Sequence, residues 1–452
     1  MIKLTSPNIL NETMATLKKT LNRFDGIALL VGITIGSGIF ATPQIIAKYL
    51  NSFSTIILLW IAVSIFVYVG ALIYAELGSR FPETGGEYIY IEKAFGSFWG
   101  FIFGWTQLFI IRTSATAGLS LVTANYLSYF FPMNQIEKTL VAFLVILVFC
   151  SINYIGVKKA SAYNKLSSST KIGGLLLFAV IGLLINGNDF SRLGEIKTVQ
   201  ASLGPIGNTI AALMLILFSF IGWDRVGYVA GEMKDPQKVI PQTMLFGMLI
   251  ISVLYLSSNI LYHTIIGLEQ MRESTIVASD TAVKLFGPIG AAMISLMVII
   301  SATGSINGTI MSASRVYFAM AKDKLLFAWL DHIHPKHQTP THAIIAHGLW
   351  AAVLIIIRQN FETIVSGMVF AVLIFYGFTT IAFFKFRKEN AGKDNGYKLF
   401  GYPWIPSLYL VGIILLVVLR SFYEFESSVK DLCFIVSGIP IYFILFKNQP
   451  AK

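Results

Sequence analysis

Long runs of apolar residues recur along the whole chain, separated by short clusters of Gly, Pro and charged residues. Each run is close to the ~20 residues that an α-helix needs to cross a bilayer. Membrane strands would have to close into a barrel, and these runs are too long and too uniformly apolar for that. The pattern predicts an all-α integral membrane protein with twelve spans, numbered here in chain order: 26–48, 55–79, 95–128, 137–156, 166–186, 206–230, 240–266, 282–320, 342–358, 363–386, 404–423 and 430–446.

The composition supports this interpretation, because only 13% of the residues are charged and 55% are hydrophobic. Soluble domains carry about 25% charged residues. The net charge of +11 does not require a nucleic-acid partner, because Lys and Arg collect in the cytoplasmic loops of membrane proteins. When the N-terminus is placed inside and the spans alternate, most of the 34 Lys and Arg residues fall on one side. We therefore expect a multi-pass protein of the cell (inner) membrane, with lipid around it and both termini cytoplasmic.

The residues that usually carry metal, cofactor or catalytic chemistry are scarce. Cys150 and Cys433 both lie in apolar spans, so no disulfide framework is indicated. Four histidines crowd residues 332–342, but this stretch is a predicted loop without a cysteine or carboxylate cluster. No Ser/His/Asp arrangement or P-loop lysine is recognisable. We expect no metal, no cofactor and no enzymatic activity.

Span 1 contains an unusual weak point, "GITIGSGIFATP", at residues 32–43. Glycine inside a helix costs about 1 kcal/mol relative to alanine. Backbone groups left without partners in hydrocarbon cost several kcal/mol each, so a break there requires a polar occupant. Close helix packing through small residues is the alternative explanation.

Span 6 contains a second weak point, where Ser219 and Gly222 interrupt an apolar run. Spans 1 and 6 hold corresponding places in two five-span units, 24–200 and 201–390, which are followed by two more spans in 400–447. Because five is odd, the second unit must enter the membrane inverted. Interrupted spans at corresponding places of inverted units indicate the binding site of a transporter.

The two breaks would offer complementary chemistry to one small molecule. Free N–H groups at residues 37–39 begin a half-helix, where partial positive charge suits a carboxylate. Free carbonyls at 33–35, and those of Phe218, Ser219 and Ile221 in span 6, suit an ammonium group. A dry site that offers both fits an α-amino acid, and glycine there lets the substrate touch the backbone.

Four motifs carry a resemblance to a known family: "GITIGSGIFATP", "FSFIGWDRVGYVAGEMKDPQKVIP", "GSINGTIMSASRVYFAMAKDKLL" and "YKLFGYPWIP". Together they resemble the amino acid–polyamine–organocation (APC) superfamily, above all its L-type amino acid transporters and bacterial serine/threonine exchangers. The likeness runs from about residue 20 to 405 in the family's order. It implies a LeuT-type fold, with a 5+5 inverted repeat, two extra helices, and discontinuous spans 1 and 6.

The resemblance also implies roles for individual residues. Ser37 and Gly38 match positions that hold the substrate carboxylate, and Phe218 matches an aromatic gate. Trp223 falls at a recurrent Trp beside the site, whereas Ile221 stands where relatives often have Gly. With Ala115 at the wall formed by span 3, we expect these substrate-binding residues: Thr34, Ile35, Gly36, Ser37, Gly38, Ala115, Phe218, Ser219, Ile221 and Trp223.

Lys171 in span 5 matches a lysine that replaces a sodium ion in sodium-independent relatives; a lysine extending to the membrane interface is the alternative. The resemblance implies a secondary active transporter for amino acids, neutral ones because the predicted walls are aliphatic and Phe-rich. It would work by alternating access, without sodium, as an antiporter or a proton symporter. An amine or polyamine permease and a non-transporting amino-acid sensor are the alternatives. Animal L-type relatives have a disulfide-linked heavy chain, which we do not expect here because neither cysteine lies in a predicted external loop.

Overall fold

The computed structural model describes residues 21–446, apart from 84, 186, 200–202, 359 and 393–395. These residues form helices joined by turns, and their only strand-like pairings are two isolated bridges. Eleven helices among them are long and apolar enough to cross a membrane. The all-helical membrane architecture predicted from the sequence is therefore confirmed.

The first half of the chain has the following helices, in order: Arg23–Thr34, Gly38–Ala41 and Pro43–Tyr49 in span 1; Phe53–Arg80 in span 2; Glu87–Phe95 before span 3; Ser97–Thr106 and Arg112–Leu127, joined by the π-helical turn Gln107–Ile111, in span 3; Gln135–Ile155 in span 4; Val157–Leu184 in span 5; and the 3-10 helix Phe190–Gly194. The second half has these helices: Gly204–Phe220 and the 3-10 helix Trp223–Glu232 in span 6; Pro236–Glu273 in span 7; Val277–Lys322 in span 8; the 3-10 helix Ala328–Leu330; Thr341–Arg358 in span 9; Phe361–Lys388 in span 10; Trp404–Tyr423 in span 11; and Phe425–Val436, Gly438–Ile441 and the π-helical turn Tyr442–Phe446 in span 12.

Several helices begin at side chains that cap the first turn. Asn22 and Asn134 accept backbone N–H groups, while Asp25 and Glu137 bond back to the two cap residues. Asn360 accepts the N–H of the third helical residue in span 10. Because each capping side chain partners a donor that the helix itself cannot satisfy, these asparagines define where spans 1, 4 and 10 start.

Both predicted breaks are present. The first helix of span 1 ends at Thr34, and the next begins at Gly38. In span 6 the α-helix ends at Phe220, and a 3-10 helix begins at Trp223. Gly222 between them has φ +126°, which side chains rarely adopt, so glycine is needed there.

Span 8, predicted over 282–320, is divided into two helices in the structure. At Gly287 the backbone takes φ 70°, ψ −169°, so a short helix from Val277 precedes the long one. The next residue is Pro288, which has no N–H and disfavours helical geometry in the residue before it. The long helix of span 8 therefore begins after Gly287, and Val277 belongs to a separate short helix before it.

The broken span 6 lies inside the helix bundle. In its most apolar window 78% of the residues are buried, and in span 10 the figure is 83%, against 22% in spans 4, 11 and 12. The start of span 1 and the end of span 6 reach the same face, where Leu21 pairs with Met233. We call this the N-terminal face.

Candidate functional site

The two breaks touch each other. A Cβ added at Gly38 would lie 2.5 Å from Cα of Ser219, and one at Gly222 would lie 3.2 Å from the carbonyl oxygen of Ile33. The hydroxyls of Thr42 and Ser219 are 3.0 Å apart across the same junction. Glycine at these positions therefore allows the backbones of spans 1 and 6 to meet.

A cavity of about 40 Å³ lies beside this junction. At roughly 10–15 Å³ per water, it has room for about three water molecules. It is lined by residues of spans 1, 3, 6, 8 and 10: Ile33, Thr34, Gly36, Ser37, Gly38, Ala115, Leu119, Phe218, Ser219, Ile221, Arg225, Ser305, Thr309 and Met368. Eight of the ten predicted substrate-binding residues are in this lining.

The cavity wall carries buried polar groups without partners. Oγ1 of Thr34 and Oγ of Ser37 have no hydrogen-bond partner within the described part of the chain. The N–H groups of residues 37–39 also have no acceptor among the described residues. Buried polar groups are nearly always hydrogen-bonded, so this concentration marks a place for a polar ligand.

The backbone carbonyls at the breaks, predicted to be free, already accept some hydrogen bonds. The hydroxyl of Tyr255 in span 7 lies 3.1 Å from the carbonyl oxygen of Thr34 and 2.8 Å from that of Ser219. The carbonyl of Phe218 accepts the N–H of Ile221 at 3.1 Å, and that of Thr34 also accepts the N–H of Gly36 at 2.7 Å. One hydroxyl proton can serve only one of two acceptors at a time, and each carbonyl oxygen has two lone pairs. The wall therefore keeps capacity to accept an ammonium group.

Two predicted substrate-binding residues lie outside the lining. Ile35 is fully buried and continues the first half-helix, with its N–H on the carbonyl of Val31. Trp223 is 1% exposed and packs between the rings of Tyr74 and Tyr376. Both support the break rather than face the cavity.

Lys171 is also outside the lining but is connected to it. Its Nζ donates to Oγ of Ser305, a lining residue, at 3.3 Å. The side chain is 3% exposed, and no carboxylate oxygen lies within 4 Å of Nζ among the described residues. The alternative of a lysine extended to the membrane interface does not fit this burial.

Sequence reasoning missed the contribution of span 8. Ser305 and Thr309 are four residues apart, so they share one helix face, which is turned to the cavity. The polar run "SATGSINGT" in an apolar span was the available signal. Leu119 and Met368 gave no such signal, because apolar residues fill their spans.

A second, smaller cavity of about 10 Å³ adjoins the first toward the N-terminal face, since Ile221 and Arg225 line both. It also contains Glu87, Arg112 and Asp224. Glu87 accepts hydroxyl donors from Tyr74 and Thr379 at 2.6 and 3.1 Å. Four charged side chains thus surround a space for about one water molecule.

A larger cavity, about 650 Å³, lies elsewhere, between loops and helix ends at the N-terminal face. Arg80, Lys93 and Lys234 line it, and it touches neither break. Among the described residues, no group of three or more His, Cys, Asp or Glu side chains could hold a metal ion. The geometry thus favours the small cavity at the breaks as the functional site.

The comparisons with known proteins agree with this architecture. The family model described as "Amino acid permease" matches residues 21–446. The serine/threonine exchanger SteT of Bacillus subtilis (strain 168) is 30% identical over 438 residues, covering 96% of this chain and 98% of the relative. The b(0,+)-type amino acid transporter 1 of Mus musculus is 28% identical, covering 95% and 88% of the two chains. The large neutral amino acids transporter small subunit 2 of Mus musculus is also 28% identical, covering 95% and 81%. The chain is therefore a multi-pass membrane protein that belongs to the amino acid permease family.

Proposed function

We propose that the protein is a secondary transporter that carries small neutral amino acids across the cell membrane by alternating access. The observation that carries this proposal is the cavity at the two helix breaks, where the hydroxyls of Thr34 and Ser37 are buried without partners. An α-amino acid would supply a carboxylate for the N–H groups of residues 37–39 and an ammonium for the carbonyls around Thr34 and Ser219. The small volume, and the lack of a carboxylate among the described lining residues, favour a short side chain without positive charge.

The architecture that we propose is a LeuT-type 5+5 inverted repeat, 24–200 and 201–390, with two additional helices in 400–447. The helical segment Ser97–Leu127, with its π turn, would be span 3 and would bring the eleven long apolar helices to twelve. An even number places both termini on one side, and the basic loops make that side cytoplasmic. The halves of spans 1 and 6 on either side of the breaks would rock to open the cavity alternately to each face.

We propose sodium-independent transport, with Lys171 as the fixed cation. Its ammonium reaches Ser305 in span 8 from span 5, close to span 1, where Gly36 would place a Cβ 3.7 Å from the same Ser305 hydroxyl. Replacing sodium with choline should leave uptake unchanged. Loss of uptake in choline would contradict this role.

Exchange is the favoured transport mode because the relative from Bacillus subtilis is named an exchanger. Proton symport is the alternative. A disulfide-linked partner is not part of the proposal, because Cys150 and Cys433 both lie within membrane-span helices. An amine or polyamine permease is disfavoured, because no carboxylate is among the described residues that line the cavity.

The test is uptake of labelled serine, alanine and threonine into proteoliposomes of the purified protein. Antiport predicts uptake that depends on unlabelled amino acid inside, whereas symport predicts uptake driven by an inward proton gradient. A sensor would bind amino acids without moving them. The absence of both uptake and binding for the whole set of neutral amino acids would refute the proposal.

A further inference from the structure

The wall of the substrate cavity toward the N-terminal face is cationic. Arg225 lines the cavity directly, and Lys171 reaches it through the hydroxyl of Ser305. None of the described lining residues is acidic. The side chain of a bound amino acid would therefore face positive charge.

The nearby carboxylates do not cancel this charge by direct pairing. Asp224 and Glu87 lie in the second cavity, where they accept hydroxyl donors. No carboxylate oxygen is within 4 Å of the guanidinium of Arg225 or Arg112 among the described residues. Arg225 therefore stands between the two cavities as a cation without an ion pair.

Arg112 lies behind Arg225 in the second cavity, together with Glu87 and Asp224. Its Nε donates to Oε1 of Gln107 at 2.8 Å, and its guanidinium lies 5.6 Å from the ring centre of Tyr228. Its Nη1 is buried without any hydrogen-bond partner. The two guanidiniums and two carboxylates of the second cavity balance in formal charge, so the positive charge at the substrate cavity is that of Arg225, the one charged residue in its described lining.

We propose that Arg225 is a specificity-determining residue, which rejects substrates with cationic side chains and favours short side chains that end in an oxygen acceptor. This inference rests on the proposed function and names the substrate class of the same site. Two like charges about 6 Å apart, at an effective dielectric constant of about 20, repel enough to lower affinity by roughly 10- to 100-fold. The guanidinium can donate a hydrogen bond to a hydroxyl or amide oxygen of the substrate. A substrate ammonium has no acceptor and cannot receive this hydrogen bond.

The experiment compares homoserine with 2,4-diaminobutyrate, which have similar length but end in a hydroxyl and an ammonium. Both compete against labelled serine in proteoliposomes containing wild type, Arg225→Gln or Arg225→Lys. The control is Arg315→Gln, which makes the same change at an exposed arginine of span 8. Ligand-induced thermal stabilisation of each purified variant gives a second measure of relative affinity where uptake is weak.

Wild type, Arg315→Gln and Arg225→Lys should each prefer homoserine by at least about 10-fold. Arg225→Gln should reduce this preference to about threefold or less, because the fixed charge is gone. An unchanged preference in Arg225→Gln would overturn the inference, and so would loss of the preference in Arg225→Lys. Either of these results would leave the proposed function intact. The proposed function fails separately if wild type neither binds nor transports serine or any other neutral amino acid.

Discussion

Two buried polar regions of this protein are built in opposite ways. At the helix breaks, the hydroxyls of Thr34 and Ser37 are buried without partners. In the outer helices, Arg420 and Asp431 are also fully buried, but Nη1 of Arg420 lies 2.8 Å from Oδ2 of Asp431 as an ion pair. Both regions place polar groups out of water, which is unfavourable unless a partner compensates.

The partners in the outer cluster come from several helices. Arg358 of span 9 also pairs with Asp431, and Arg420 donates to Ser428 at 2.9 Å. The guanidinium of Arg420 further lies 4.5 Å from the ring centre of Phe370 in span 10. The cluster thus joins spans 9 to 12 through opposite charges, whereas the hydroxyls of Thr34 and Ser37 at the breaks have no partner among the described residues. Stability is therefore expected to depend on the outer cluster, and binding on the helix breaks.

The largest effect is expected for Asp431→Asn. Removing this carboxylate takes away the only close counter-charge of Arg358 among the described residues and leaves Arg420 only its longer pair with Glu424, at 3.6 Å. Breaking a buried ion pair destabilises by about 3–5 kcal/mol. Thermal unfolding of the detergent-solubilised protein would show a large fall in melting temperature. Lys430→Gln, which removes the exposed pair with Glu426, should change stability by less than about 1 kcal/mol. Equal melting temperatures for the two variants would remove the contrast between the regions.

A smaller effect is expected at the junction of spans 1 and 6. Gly38→Ala would force a methyl group against Cα of Ser219 at 2.5 Å, whereas Gly36→Ala would meet no atom closer than 3.7 Å. Overpacking of this kind costs about 1–3 kcal/mol. Gly38→Ala should therefore lower the melting temperature and impair uptake. Gly36→Ala should remain as stable as wild type, with weaker uptake because its methyl group narrows the cavity; if it proved the less stable of the two, the packing at the junction would be misassigned.

The smallest effect on stability, but a clear one on binding, is expected for Ser37→Ala. Its hydroxyl has no partner among the residues that the structure describes, so removing it should not lower stability. A lost hydrogen bond to the substrate, about 1 kcal/mol, should weaken binding roughly fivefold. Ser120→Ala in span 3 is the matched control, because that hydroxyl donates to the carbonyl of Ala117 at 2.7 Å. The control should lose some stability and keep wild-type affinity; the reverse pattern would mean that Ser37 supports the fold and not the ligand.

Local sequence information was sufficient for the all-helical membrane architecture and for both breaks. Apolar runs indicate segments that lie in lipid. Glycine and serine in the middle of a span indicate backbone that leaves the helix, as at Gly38 and Gly222. The Gly287–Pro288 break was missed because the surrounding residues remain apolar, although the dipeptide itself is a turn signal.

The partners of the breaks could not be predicted in the same way. Tyr255 bridges the carbonyls of Thr34 and Ser219. It is a single tyrosine in an apolar span, and nothing in the neighbouring sequence indicates this contact. Ser305 and Thr309 meet the cavity through the packing of span 8 against spans 1 and 6. Such contacts depend on how distant helices are arranged, which residue patterns within one span do not encode.

The central claim is that backbone and hydroxyl groups exposed where spans 1 and 6 break bind the amino acid. It is tested most directly by an experimental structure in lipid nanodiscs, determined with the neutral amino acid that competes best for uptake. We expect ligand density in the cavity, with its carboxylate within hydrogen-bond distance of the N–H groups of residues 37–39 and its ammonium toward the carbonyls around Thr34 and Ser219. Density in the large cavity at the N-terminal face instead, or helices that run unbroken through Gly36 and Gly222, would contradict it.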